Sequence, residues 1–220
     1  EMAREDKGIY RLKINEDLLN YKYRYIINNS GVVTEAKDLY GKEVSLNSEY
    51  SVVIDTEALL KIKNVKPETT INNYVDAVIY ETHIRDLNEG NYNNTVNKGK
   101  FAGFMETNRQ TVGGNPAGLD YIKYLGFTHV QIQPVLDFDS KDDIKTSDWY
   151  NWGYDTLSFF SLFCSYALHP EVPASRILEF KELVNKYHEN DLRIIMDVVY
   201  NHIYEYENSD FEKTVPHYYF

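Results

Sequence analysis

Residues 192–199 read LRIIMDVV, an apolar run broken only by Arg193 and Asp197. An amphipathic helix is predicted shortly before this run. Ser175 is expected to cap it, and its apolar positions recur every three or four residues up to Tyr187. A helix that leads into a short buried strand is half of a parallel β-α-β unit. This stretch therefore predicts a parallel sheet with crossover helices.

Two further strands, with a helix between them, are predicted earlier in the chain. Strands are predicted at residues 77–80 and 128–132, and between them Asn115 and Pro116 are expected to open a helix that stops at Gly126. Long polar loops follow the first and second strands. Three such units predict a (β/α) barrel whose functional site is built from the loops after its strands.

A Rossmann-type sheet is the competing architecture, since it also alternates strands and helices. Its phosphate-binding fingerprint needs GxGxxG directly after a strand. The glycines Gly113, Gly114 and Gly118 do not have that spacing or that position. The barrel is therefore the favoured fold.

The first third of the chain has a different pattern, in which short stretches alternate with turns. Aromatic and charged residues alternate over residues 21–27, and further strands are predicted at 43–46 and 50–54. This pattern predicts a small antiparallel β-sandwich. We place it in residues 1–72 and the barrel part in residues 73–220.

Charge and composition limit the class of partner. A net charge of -11 argues against nucleic acid or an anionic membrane, whereas 20 tyrosines favour a neutral partner such as a sugar. The sequence has neither an apolar run long enough to span a bilayer nor a signal-peptide core, so we expect a cytoplasmic location. The single cysteine, Cys164, is expected to be buried and inert.

The loop after the second strand contains YNWGYD at residues 150–155. Its aromatic rings and amides can stack on pyranose rings and form directional hydrogen bonds. This hexapeptide resembles the Tyr-Asn-Trp-Gly-Tyr-Asp-Pro signature of type I pullulanases in glycoside hydrolase family 13. Thr156 stands where that family usually has proline, which is expected to loosen the exit of the loop.

The resemblance implies a role for the residues of this loop. Tyr154 would stack on the sugar in the subsite that holds the new reducing end, and Asp155 would help to orient it. Asn151 and Trp152 are further candidate substrate contacts. The alternative is that the aromatic residues, Trp152 above all, pack beneath the loop.

A second motif, DVVYNH at residues 197–202, is similar to the first conserved region of the family 13 enzymes. Strand alternation would place Asp197, Val199 and Asn201 on one face, with His202 at the rim. The resemblance implies a hydrogen bond from His202 to the primary hydroxyl of a sugar, and a buried role for Asp197 beneath the site. Asn201 is a candidate calcium ligand, although no cofactor is expected to be required.

The resemblance covers nearly the whole chain. It includes residues 80–86, where Arg85 and Asp86 are expected to be a surface or loop-anchoring pair, and the front part resembles a carbohydrate-binding module of the CBM48 kind. The predicted fold is therefore α/β: a partial (β/α)8 TIM barrel, comprising the first three βα units, preceded by part of an antiparallel β-sandwich.

The implied function is that of a starch- or glycogen-debranching glycoside hydrolase. Such an enzyme cleaves α-1,6-glucosidic linkages in pullulan, glycogen or branched dextrins by a retaining mechanism with two carboxylates. The family's nucleophile lies in an Arg-x-Asp block of the barrel. The Arg-x-Asp triplet of this sequence, at residues 4–6, lies in the front part, so we expect a fragment with no catalytic residue of its own. The alternatives are a non-catalytic α-glucan-binding protein and, less favoured, a relative of branching enzymes or isoamylases.

Overall fold

The computed structural model describes residues 1–146 and 149–220. Its strands are β1 (Ala3–Arg4), β2 (Tyr10–Arg11), β3 (Lys22–Tyr23), β4 (Tyr25–Asn29), β5 (Val32–Ala36), β6 (Ser51–Val52), β7 (Ile79–Thr82), β8 (His129–Ile132), β9 (Leu136–Phe138), β10 (Thr156–Leu162) and β11 (Arg193–Met196). Its α-helices are α1 (Thr56–Leu60), α2 (Phe101–Met105), α3 (Leu119–Tyr124), α4 (Ser175–Glu189) and α5 (Asp210–Thr214). Within the described ranges, no helix combines the length and the apolar character needed to cross a bilayer.

Three parallel strands form the central sheet, in the order β11-β8-β7. This confirms the three predicted strands and their parallel direction. The third strand was predicted to reach residue 199, but it ends at Met196. Its neighbour β8 ends at Ile132, so only the amide of Asp197 still finds a partner there, the carbonyl of Ile132 at 3.0 Å.

Helix α4 covers the sheet and supplies much of the core. Leu183 and Tyr187 are fully buried, and the Tyr187 hydroxyl donates to the carbonyl of Phe104 at 3.1 Å. The expectation that Ser175 caps this helix is wrong, because Ser175 is its first residue and donates its hydroxyl to the carbonyl of His169. The residue before it, Ala174, enters the helix at φ 64°.

Helix α3 begins later than predicted. Asn115 and Pro116 do not open it, because both are held in a turn: the Asn115 carbonyl accepts from Thr111 and Pro116 forms a bridge with Gln110. The helix starts at Leu119. A polar turn whose backbone is already paired cannot serve as the first turn of a helix.

The front part contains β1 to β6, which form three two-stranded antiparallel sheets. The strand predicted at residues 43–46 is wrong: Val44 makes one isolated bridge to Ser51, and Leu46–Ser48 is a 3-10 turn. The segment bonds to the residues around β6, since the Glu43 carbonyl accepts from Val52 and the Ser45 amide donates to Tyr50, but the chain then turns at Leu46 and ends the pairing. The turn is tied to the barrel part, because the amide of Asn47 donates to the carboxylate of Asp143.

A buried polar network joins the front part to the barrel part. Arg176 is 1 % exposed; it lies 3.0 Å from the carboxylate of Glu43 and donates to the carbonyls of Val44 and Leu162. Next to it, the Ser48 hydroxyl donates to the buried Asp137 at 2.6 Å. Buried charged groups of the front part therefore interact directly with buried charged groups of the barrel part.

Cys164 lies in the same buried region and donates its thiol to Asp143 at 2.9 Å. Burial raises the pKa of Cys164 well above that of a free thiol. A thiol that stays protonated is a poor nucleophile. The prediction that Cys164 is buried is confirmed, and its protonation agrees with an inert role.

Candidate functional site

The loop between β9 and β10 has a shape that only glycine permits at one position. Gly153 has φ +93°, and a Cβ atom there would lie 2.6 Å from the carbonyl oxygen of Pro134. Both the positive φ and the close approach exclude larger residues. Gly153 therefore brings the loop against the segment that follows β8.

Asn151 stabilises the loop from within. Its side-chain oxygen accepts from the amide of Gly153 at 2.9 Å, while its nitrogen donates to the Asp139 carbonyl at 3.1 Å and to the Asp155 carboxylate at 3.2 Å. The sequence predicted Asn151 as a substrate contact, but here its amide is used to shape the loop. The part of Asn151 in binding sugar stays a prediction.

Tyr154 connects this loop to the residue that follows β11. Its hydroxyl donates to the carboxylate of Asp197 at 2.8 Å. Burial, together with this hydrogen bond and the charge of Asp197, raises the pKa of Tyr154 to about 12. Tyr154 therefore stays protonated and donates this hydrogen bond across the neutral pH range.

His202 reaches the same loop from the second motif. Its Nδ1 accepts from the Asn201 amide at 2.8 Å, so Nε2 carries the proton and donates to the carbonyl of Tyr154 at 2.9 Å. Two contacts, one through Asp197 and one through His202, thus hold Tyr154 from opposite ends. The structure brings both sequence motifs together.

Two expectations about the second motif are wrong. Asp197 is half-buried and not buried, since it lies just beyond the end of β11. Val199 is buried whereas Asn201 is exposed. The alternation rule does not apply to them because the strand has already ended at Met196.

The rim of the site is aromatic and acidic. Trp152 is 64 % exposed, so the alternative that it packs beneath the loop is wrong. Asp155 is exposed beside Asp139, and burial, followed by the charge of Asp155, raises the pKa of Asp139. Thr156 is buried and begins β10 opposite Phe138; the expectation that it loosens the exit of the loop relative to proline stays a prediction.

Calcium would need six to eight oxygen ligands around Asn201. The nitrogen of the Asn201 amide donates to His202, so this bond does not involve the amide oxygen, which is the atom that would bind calcium. The described residues contain no group of three or more acidic, histidine or cysteine side chains arranged to hold a metal. We derive no step through a metal ion, and both calcium at Asn201 and the absence of a cofactor requirement stay predictions.

Sequence reasoning did not find Asp139, whose carbonyl accepts from Asn151 and whose side chain lies near Asp155. The available signal was its position directly after the buried strand β9. Arg85 and Asp86 were expected as a surface or loop-anchoring pair. The structure places both against residues 149 and 150 of the loop: Arg85 donates to the Trp149 carbonyl at 2.8 Å, and Asp86 accepts from Tyr150.

Comparisons with known proteins agree with this arrangement. The model of the alpha-amylase catalytic domain matches residues 101–218. A pullulanase of Bacillus subtilis (strain 168) is 44% identical over 100% of this chain, which covers 30% of that protein. The solved pullulanase of Anoxybacillus sp. LM18-11 in complex with maltotriose superposes with a TM-score of 0.94 and 40% identity, with 100% of this chain and 31% of that chain covered.

The alternative relatives match less of the chain. The isoamylase SU1 of Zea mays is 32% identical over 59% of it, and the alignment covers 16% of that protein. This chain spans about a third of the length of these two pullulanases and 17% of the pullulanase A of Streptococcus pneumoniae serotype 4. The family model covers more than half of the chain, and a Rossmann-type sheet is thereby excluded in favour of the TIM barrel of this family. The chain therefore belongs to the alpha-amylase catalytic domain family.

Proposed function

We propose that the chain binds branched α-glucans at the site formed by Tyr154, Asp155, Asn151, Trp152 and His202, as part of a debranching glycoside hydrolase. One observation carries this proposal: the loop at residues 150–155 and the residues after β11 meet at Tyr154, with an exposed indole beside them. An aromatic rim with directional polar groups suits the alternating apolar faces and hydroxyls of a glucan.

The chemistry of the individual groups supports the same partner. Trp152 offers an exposed stacking face, and the exposed carboxylate of Asp155 can accept hydrogen bonds from sugar hydroxyls. His202 already donates its Nε2 proton to the Tyr154 carbonyl. A sugar hydroxyl that accepts this Nε2 proton must either compete with the Tyr154 carbonyl or displace it. Sugar binding would thereby be coupled to the position of Tyr154.

The proposed reaction of the parent enzyme is retaining hydrolysis of α-1,6 linkages in pullulan, glycogen or limit dextrins. It needs a nucleophilic carboxylate and an acid–base carboxyl about 5 Å apart. We assign neither role to a residue of this chain. The pullulanases of Bacillus subtilis and Anoxybacillus were solved with maltose and maltotriose, respectively, which supports an α-glucan as the partner.

Finer features of the parent protein are part of the same proposal. We assign residues 73–220 to the first three βα units of the barrel, and residues 1–72 to part of a CBM48-type β-sandwich. We further propose a cytoplasmic protein that needs no cofactor and has neither nucleic acid nor membrane as a partner. The net charge of -11 supports the last point, because it disfavours polyanions.

Binding by the chain itself tests the proposal. Tyr154→Ala is expected to weaken the affinity for maltotetraose about tenfold, because it removes the ring and the bond to Asp197. Isothermal titration of the wild type and the variant measures this loss. Tyr124→Ala is the matched control, since Tyr124 is 75 % exposed on α3, away from the loop. Equal affinity in all three proteins, or equal affinity of the wild type for cellotetraose, would contradict the proposal.

Hydrolysis by the chain is a separate test. The purified chain is expected to release no reducing sugar from pullulan, because we assign the nucleophile and the acid–base carboxyl to other parts of the parent enzyme. Activity should arise only when the remaining barrel of a pullulanase is supplied as a second polypeptide. Release of reducing sugar by the chain alone would overturn this assignment, while binding without restored activity would favour the non-catalytic α-glucan-binding protein.

A further inference from the structure

We infer that Arg85 and Asp86, which follow β7, are positioning residues for the sugar-binding loop. This inference rests on the proposed function for its consequence, but its geometry is independent of any ligand. The pair follows β7, whereas the residues proposed to contact sugar follow β9 and β11. It would act through Trp149 and Tyr150, which begin the segment 149–155 at the end of this loop.

The contact made by Asp86 is direct. The Tyr150 hydroxyl donates to the Asp86 carboxylate at 2.8 Å. Burial of Tyr150 and this hydrogen bond both raise its pKa, so the phenol stays a donor at neutral pH. The Tyr150 ring also packs on the ring of the buried His83, with 5.2 Å between the centroids. The position of Tyr150 is thus fixed at its ring and at its hydroxyl.

Arg85 holds the neighbouring residue through the backbone. One guanidinium nitrogen donates to the Trp149 carbonyl at 2.8 Å, while the others donate to both carboxylate oxygens of Glu89. The guanidinium carbon lies 5.5 Å from the centre of the Tyr150 ring, within cation–π range. Glu89 therefore orients Arg85, and Arg85 orients the start of this segment.

The two ends of the segment 149–155 are held by different strands. Its start is bonded to the residues after β7, and Tyr154 at its end is bonded to Asp197 and His202 after β11. Ordering a loop before a ligand arrives lowers the entropic cost of binding. Loss of the contacts at the start should therefore weaken sugar binding without touching any sugar-contacting side chain.

The chain contains a built-in reporter for this idea, because both of its tryptophans, Trp149 and Trp152, lie in this loop. Asp86→Ala and Tyr150→Phe are each expected to increase acrylamide quenching of tryptophan fluorescence and to weaken maltotetraose affinity about three- to tenfold. The double variant should show no more than the larger single effect, since both changes break one bond. Asp86→Asn keeps an oxygen acceptor and should restore most of the affinity.

Tyr92→Phe is the matched control, because the Tyr92 hydroxyl donates to the backbone carbonyl of Asp86 and not to its carboxylate. It should leave quenching and affinity unchanged, and all variants should keep the thermal midpoint of the wild type. Unchanged quenching in both Asp86→Ala and Tyr150→Phe, or fully additive effects, would overturn the inference. A wild-type chain that binds no glucan would refute the proposed function, whereas the quenching comparison would still decide the positioning role.

Discussion

Replacement of Arg176 by methionine is expected to lower the free energy of unfolding by about 3–5 kcal/mol. The change leaves the carboxylate of Glu43 buried at 1 % exposure without its cation, and it leaves the carbonyls of Val44 and Leu162 without their donor. Urea denaturation followed by circular dichroism measures the loss. Arg11→Met is the control, since the ion pair of Arg11 with Glu5 is exposed and should contribute less than about 1 kcal/mol.

The pH dependence of this loss gives a second readout. Burial raises the pKa of Glu43 to about 7 in the wild type, against the opposing charge of Arg176. The folded-state pKa thus lies above the unfolded value of 4.5, so this group makes the protein less stable as pH rises from about 4.5 through 7. Without Arg176 the pKa should rise further.

The variant should therefore be closer to the wild type at pH 5, where Glu43 is protonated, than at pH 8. Glu43→Leu combined with Arg176→Met should recover much of the loss, because no unpaired charge remains. An equal loss at both pH values, or no recovery in the double variant, would show that the charge of Glu43 is not the cause.

Replacement of Gly153 by alanine should have the largest effect on sugar binding. The added methyl group would lie 2.6 Å from the Pro134 carbonyl oxygen, at a φ of +93° that costs an alanine about 1–2 kcal/mol. The loop must then move away from Pro134 and take Tyr154 away from Asp197. We expect maltotetraose affinity to fall by more than about tenfold, measured by calorimetric titration.

Gly113→Ala is the matched control for this prediction. A Cβ atom at Gly113 would have its nearest neighbour at 3.7 Å, and the backbone there is not left-handed. Alanine should be tolerated or should stabilise the fold by about 0.4–1 kcal/mol. If Gly153→Ala binds glucan as the wild type does, the contact between Gly153 and Pro134 does not determine the shape of the loop.

The central sheet and the meeting of the two motifs could be predicted from the sequence, because short runs of consecutive residues indicate both. Apolar runs such as residues 192–199 mark buried parallel strands, and the carboxyl ends of parallel strands meet at one edge of a sheet. The hexapeptide at 150–155 is long enough to identify a family. Both signals are contained within a few consecutive residues.

Other features could not be predicted because they depend on residues far apart in the chain. The segment at 43–46 has the composition of a strand, yet its pairing stops at the turn that begins at Leu46. The buried partner of Glu43 is Arg176, more than a hundred residues away, and no local pattern indicates that contact. Likewise, the contact of Tyr150 with Asp86 joins two loops with no shared pattern. Strand ends were also misjudged, since the end of β11 depends on where its neighbour β8 stops.

The buried link between Glu43 and Arg176 has a consequence for the modular history of such proteins. If a front segment with Glu43 were joined to a barrel part without Arg176, the carboxylate of Glu43 would be buried without its cation. The chimera should then lose as much stability as we expect for Arg176→Met. Substitutions at Glu43 and at Arg176 must therefore occur together. Recombination that cuts between residues 43 and 176 should succeed only between parents that share the pair, which makes the front segment a dependent part of the barrel and not an interchangeable attachment.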